Sequence, residues 1–153
     1  MTYSPDAPLD DPARDCLRCI AGHIIPGSPE LDLPGADDPG IVGVMVQGLN
    51  RDAPALRNVL ARVDQTAGGR ICALQAAGQA EVLNRLRHET PGLFAVVESV
   101  VARAYYSDDR VLRAIGMEPR PPFPSGYTVD GGNWSLLDPV RARGSLLRDT
   151  AKT

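Results

Sequence analysis

Apolar positions recur along this chain at helical spacing, and nowhere do they alternate long enough to build a sheet. From Asp11 to Ile25, "DPARDCLRCIAGHII", the residues Cys16, Cys19, Ile20, His23 and Ile24 fall on one stripe. Asp11 suits the cap of this first helix, Pro12 its first position, and Pro26–Gly27 ends it. A proline-rich loop, "PGSPELDLPGADDPG", follows. The next segment, starting at Asp37 or Asp38 and running to about Asn50, is apolar on nearly every side. Continuous apolarity also fits a buried strand, but the length and the Asp-Asp-Pro start favour a buried helix. In it Gly40, Gly43 and Gly48 permit close helix contact. A third helix, "DAPALRNVLARVDQTAG", has Asp52 as its expected cap and Leu56, Val59, Leu60 and Val63 on its inner face. The fourth spans about Ala76 to Glu89, with Val82, Leu83 and Leu86 inward. The fifth begins near Pro91 and is the most regular, with Leu93, Phe94, Val97, Val100, Val101 and Ala104 on a broad apolar face. Asp108 or Asp109 caps a short sixth helix that Gly116 closes.

After Gly116 the periodicity stops. Five prolines lie between Gly116 and Gly144, punctuated by Phe123, Tyr127 and the one Trp of the chain, Trp134. The pattern predicts an all-α fold: a compact bundle of about six helices with a long irregular C-terminal arm. It reads as one domain over 1–153, with a helical core at about 11–116 and the arm at about 117–153. Prolines restrict the unfolded arm and so lower the cost of ordering it. Spaced aromatics need pockets to fill. Those pockets lie either on the bundle itself or on another protein, and the second reading is favoured.

Composition narrows the function. With 153 residues, 43% apolar and 23% charged, the chain has the makeup of a soluble globular domain. A formal charge of −3 gives no basic field for nucleic acid or an anionic membrane. No window approaches the ~20 uninterrupted apolar residues of a bilayer span, so no membrane insertion is expected. The start, "MTYSPDAPLDDPARD", is acidic and proline-rich, without the basic and apolar regions of a secretory signal and without a twin arginine. This predicts a cytoplasmic chain, unless it is exported on a partner.

Candidate chemistry is sparse. The two histidines, His23 and His88, neighbour no Ser or Cys in a recognisable catalytic arrangement. The glycine cluster "PGADDPG" sets acidic residues where a phosphate loop needs a lysine, and the sole lysine is Lys152. Cys16 and Cys19 form a C-x-x-C, with Cys72 as the third cysteine. Ile20 follows Cys19 where a haem attachment needs His, and no strand precedes Cys16 as in a thioredoxin-like pair. Zinc would have to draw on Cys72, His23 and His88 at irregular spacing. The favoured reading is that Cys16 and Cys19 are buried structural thiols on one helix face. No catalytic, cofactor-binding or metal residue is assigned in this chain.

Two segments carry a resemblance. "HIIPGSPELDLPGADDPGIV" and "AYYSDDRVLRAIGMEPRPPFPSGYTV" resemble the opening and closing portions of the gluconate 2-dehydrogenase subunit 3 family, across about 15–134 of the chain. The resemblance implies a small non-catalytic subunit of a flavin-dependent dehydrogenase. Its large partner would be of the glucose–methanol–choline type, carrying FAD and oxidising a sugar, sugar acid or glycoside hydroxyl. Many relatives carry a twin-arginine leader that this sequence lacks, which favours a soluble two-subunit enzyme. On this reading the partner contacts are Tyr105, Tyr106, Phe123, Tyr127, Trp134, Arg141 and Arg143, with Arg120 and Arg148 as further arginines. Two alternatives stand beside it: a stand-alone helical ligand-binding module, and a thiol redox or metal protein using Cys16, Cys19 and Cys72.

Overall fold

A computed structural model describes residues 9–121, 123–124, 126–127 and 131–144. The chain is all-α, and it divides into two units, Met1–Pro119 and Arg120–Thr153. The first unit holds six helices: α1 (Asp11–Ile24), α2 (Pro39–Gln47), α3 (Ala53–Thr66), α4 (Ala76–Glu89), α5 (Pro91–Tyr105) and α6 (Asp109–Ala114). The second holds a 3₁₀ turn, Trp134–Leu137, running into α7 (Asp138–Ala142).

The first unit is built around α5. Its Phe94, Val97, Val100, Val101 and Ala104 are buried, as the periodicity predicts, and it packs against α2, α3 and α4. Leu56, Val59, Leu60 and Val63 of α3 and Val82, Leu83 and Leu86 of α4 also face inward as expected. On α1 the stripe is rotated from its expected position. Cys16, Leu17, Ile20 and Ala21 are buried, Cys19 is half-buried and His23 is exposed. The helix turns 100° per residue, so choosing Leu17 and Ala21 for the core carries Cys19 and His23 outward.

Helix ends follow local chemistry. Asp10, not Asp11, caps α1 by accepting a hydrogen bond from the Ala13 amide at 2.9 Å. Asp38 caps α2, accepting from the amides of Gly40 (2.9 Å) and Ile41 (3.4 Å). That helix is shorter than expected, stopping at Gln47, with Gly48 closing it and a 3₁₀ turn at Asn50–Asp52 leading into α3. Asp52 precedes α3 without capping it; its carboxylate instead accepts from Arg103 of α5 at 2.7 Å. Asp108 caps α6 through the Arg110 amide at 2.9 Å.

The close of α6 sets the boundary between the units. Gly116 takes φ +78, a conformation that a side chain disfavours, and its amide donates to Arg113 at 3.1 Å. Met117 then donates to Leu112 at 2.8 Å, so the chain stays tied to α6 past the point where the sequence pattern ends. The second unit corrects the expectation of a wholly irregular arm, because α7 and its 3₁₀ lead-in are helical.

Candidate partner-binding surface

The two segments that carry the family resemblance meet in the first unit. The loop after α1 is pinched shut between Ser28 and Leu33, whose backbones exchange hydrogen bonds at 3.0 Å in both directions. It then folds back on α1: the Ala36 amide donates to Ile25 at 2.9 Å, and Ala36 is fully buried. Gly35 is required at this corner, since a Cβ there would lie 2.2 Å from Asp37 Oδ1 and 3.0 Å from the Gly27 nitrogen. From the far end of the sequence, the Tyr105 hydroxyl donates to the Pro34 carbonyl at 3.2 Å. Arg110 forks onto both oxygens of Asp38, at 3.0 and 3.1 Å, while also binding the carboxylate of Asp108.

This arrangement fixes the charges of the three groups. Arg110's hydrogen bonds hold the Asp38 and Asp108 carboxyls below the ordinary carboxylate range, and backbone amides at each cap act in the same direction. Asp108 and Asp38 in turn raise the basicity of Arg110. Between the loop and α6 lies an open groove of about 590 Å³, lined by Pro29, Leu31, Leu33, Pro34, Arg113 and Ala114 among others. Arg113 is paired with Asp109 at 3.0 Å, so the groove wall is electrically balanced there.

The tyrosine pair divides between two roles. Tyr105 is only 4% exposed, a member of the core with its hydroxyl held by Pro34, which corrects its assignment as a partner contact. Burial raises its phenol's pKa above the ordinary value, with smaller contributions from Tyr106 and Asp108. Tyr106 is 55% exposed and packs edge-on against Tyr105, with ring centroids 5.3 Å apart. Tyr106 follows α5 as its C-cap, just beyond the buried face that Tyr105 completes.

The second unit concentrates exposed apolar side chains. Phe123 is 84% exposed, Trp134 69% and Tyr127 44%, and the sequence singled out all three. Leu136, Leu137 and Val140 join them, and sequence reasoning passed over these. Trp134, Leu137 and Val140 recur every third residue through the 3₁₀ turn and α7, which places them along one side of that short helical piece. Asn133 starts the piece by accepting from the Ser135 amide at 3.1 Å. The Arg120 guanidinium lies over the Tyr127 ring, 5.1 Å from its centroid, and the Tyr127 hydroxyl donates to the Arg120 carbonyl. Arg141 pairs with Asp138 at 3.3 Å, and Arg143 is exposed at the end of α7. Arg148 lies outside the described residues.

Elsewhere the residues offer little chemistry. Among the described residues, no group of three or more His, Cys, Asp or Glu side chains is arranged to hold a metal ion. No buried side-chain nitrogen or oxygen there lacks a hydrogen-bond partner. No helix among them is long and apolar enough to cross a membrane. Cys16 is buried with its thiol on the Leu60 carbonyl at 3.8 Å, and burial, followed by Asp64, pushes its pKa far up. No protein-family model, curated protein or solved structure matches this chain.

Proposed function

We propose that this chain is a non-catalytic accessory subunit that binds and stabilises the large, FAD-bearing subunit of a sugar or glycoside oxidoreductase. The observation that carries the reading is the set of exposed apolar residues in the second unit: Phe123, Tyr127, Trp134, Leu136, Leu137 and Val140. Each leaves apolar area in water that a partner could cover, and aromatic anchors dominate the energetics of most interfaces. Tyr106 in the first unit and Arg141 and Arg143 in the second add amphipathic and charged contacts of the kind enriched at such surfaces. The resemblance of "HIIPGSPELDLPGADDPGIV" and "AYYSDDRVLRAIGMEPRPPFPSGYTV" to gluconate 2-dehydrogenase subunit 3 sequences supplies the identity of the partner.

The flavin belongs to the large subunit. A dinucleotide site is built from a strand that feeds a glycine turn into a helix, so that amides meet the pyrophosphate. The starts of α1, α2 and α6 are capped by Asp10, Asp38 and Asp108, whose carboxylates occupy amides there. Such ends repel a phosphate rather than bind it. On this reading oxidation of the substrate hydroxyl is the partner's chemistry, and this chain contributes by covering partner surface and holding it in shape.

The test is co-expression with a glucose–methanol–choline type flavoprotein. A stable hetero-complex with flavin absorbance, and sugar-dependent dye reduction that falls when this chain is omitted, supports the reading. A flavoprotein that folds, keeps its flavin and turns over equally well without this chain, forming no complex with it, would refute it.

A further inference from the structure

Three free thiols lie where α1 meets the 3₁₀ turn Ile71–Ala73, and they are graded in exposure: Cys16 buried, Cys19 half-buried, Cys72 exposed. The Cys72 thiol donates to the Asp15 carbonyl at 3.2 Å. Asp15 and Cys19 are four residues apart on α1, hence neighbours on one helix face. Cys72 therefore sits along the face that carries Cys19. Cys16 is turned away from solvent, its thiol on the Leu60 carbonyl. We infer that Cys19 and Cys72, and not the C-x-x-C pair Cys16–Cys19, form a reversible dithiol–disulfide couple whose co-reactant is a small-molecule disulfide.

The exchange has two steps. The exposed Cys72 thiolate attacks one sulfur of the reagent R–S–S–R, forming a mixed disulfide and releasing one thiolate R–S⁻. Cys19 loses its proton to solvent and attacks the Cys72 sulfur, which closes the Cys19–Cys72 bond and expels the second R–S⁻. Both released thiolates take up the protons given by the cysteines, so two electrons pass from the protein to the reagent and two R–SH leave. Burial first, and then Cys72, push the pKa of Cys19 up to about 11, so it stays protonated at neutral pH. The first attack therefore falls to Cys72, and the second step quickens as pH rises. The new bond ties α1 to the turn that precedes α4, closing a covalent ring that includes α2 and α3. This inference does not depend on the accessory-subunit reading.

The full chain, folded and without denaturant, is equilibrated with mixtures of oxidised and reduced glutathione, quenched by acid and alkylation, and mapped by mass spectrometry. The expected product is one intramolecular disulfide joining Cys19 to Cys72, reversed by dithiothreitol, with Tm higher by about 5 °C. It should form in the Cys16→Ala variant too, be absent in Cys72→Ser, and stop at a glutathione adduct on Cys72 in Cys19→Ser. A glutathione adduct that persists on Cys72 of the unsubstituted chain would overturn the inference. So would a Cys16–Cys19 bond, or a Cys19–Cys72 bond that forms only in denaturant.

Discussion

Arg110 spans Asp38 with two parallel hydrogen bonds of 3.0 and 3.1 Å, joining the start of α6 to the start of α2. The same guanidinium holds Asp108, so one cation serves the caps of two helices far apart in sequence. Arg110→Ala should lower Tm, and Arg110→Lys should fall between the two, because an ammonium cannot fork onto one carboxylate while bonding another. Asp38→Ala removes a cap as well as the pair and should cost about 1 kcal/mol or more by urea denaturation. Equal stability of all four proteins would show that the link carries no weight.

The pH dependence follows with a definite sign. Asp38 and Asp108 have folded-state pKa values below those of an unfolded carboxyl. Their contribution is therefore present above about pH 4, the ordinary carboxyl range, and is lost as pH falls through the lower folded values. Thermal melts from neutral to acid pH should show a steeper loss of Tm in the unsubstituted chain than in Arg110→Ala. Parallel curves for the two proteins would contradict the assignment.

Tyr105 and Tyr106 should separate by phenotype. Tyr105→Phe removes one hydrogen bond to Pro34 and leaves that carbonyl without it, which should cost about 1 kcal/mol and leave complex formation unchanged. Tyr106→Ala should alter stability little and weaken the complex. The reverse outcome, read by calorimetric titration and denaturation of both variants, would return Tyr105 to the interface.

Much of the first unit was legible because its helices obey a strong period. The bounds of α4 and α5 come straight from Ala76–Glu89 and the Pro91 start, and their inward residues match except Leu93, which is half-buried. What escaped depended on rotation or on partners distant in sequence. His23 and Leu17 differ in fit to the stripe by a fraction of a turn, and only tertiary packing selects Leu17. Asp52 has the sequence of a cap, but Arg103 competes for its carboxylate. The placing of Cys72 against the Cys19 face of α1 is invisible beside an adjacent C-x-x-C, because the sequence does not show that the turn Ile71–Ala73 docks on α1.

In the second unit the aromatic residues stood out, whereas α7 did not, although a signal was present. Asp138–Pro139 repeats the acidic-residue–proline start seen at Asp11–Pro12 and Asp38–Pro39. Five residues are too few to show a hydrophobic period, so Leu137 and Val140 went unnoticed. Trp134→Ala should weaken the complex by ~2 kcal/mol or more, and Val140→Asp should weaken it as well, with far-ultraviolet circular dichroism unchanged. Full-strength binding by both variants would move the contact off this helical piece.

On the proposed function, the second unit makes the partner contact while the first folds around its own core. Among the described residues, every buried core residue, from Leu9 to Val111, lies within Met1–Pro119. The most direct measurement is a calorimetric titration of the flavoprotein partner with the full chain and with a chain ending at Pro119, each checked by circular dichroism and a thermal melt. The shortened chain should remain helical, melt cooperatively and bind at least ~30-fold more weakly, the equivalent of losing about 2 kcal/mol of interface energy. A shortened chain that is equally well folded and binds the flavoprotein as tightly as the full one would contradict the claim.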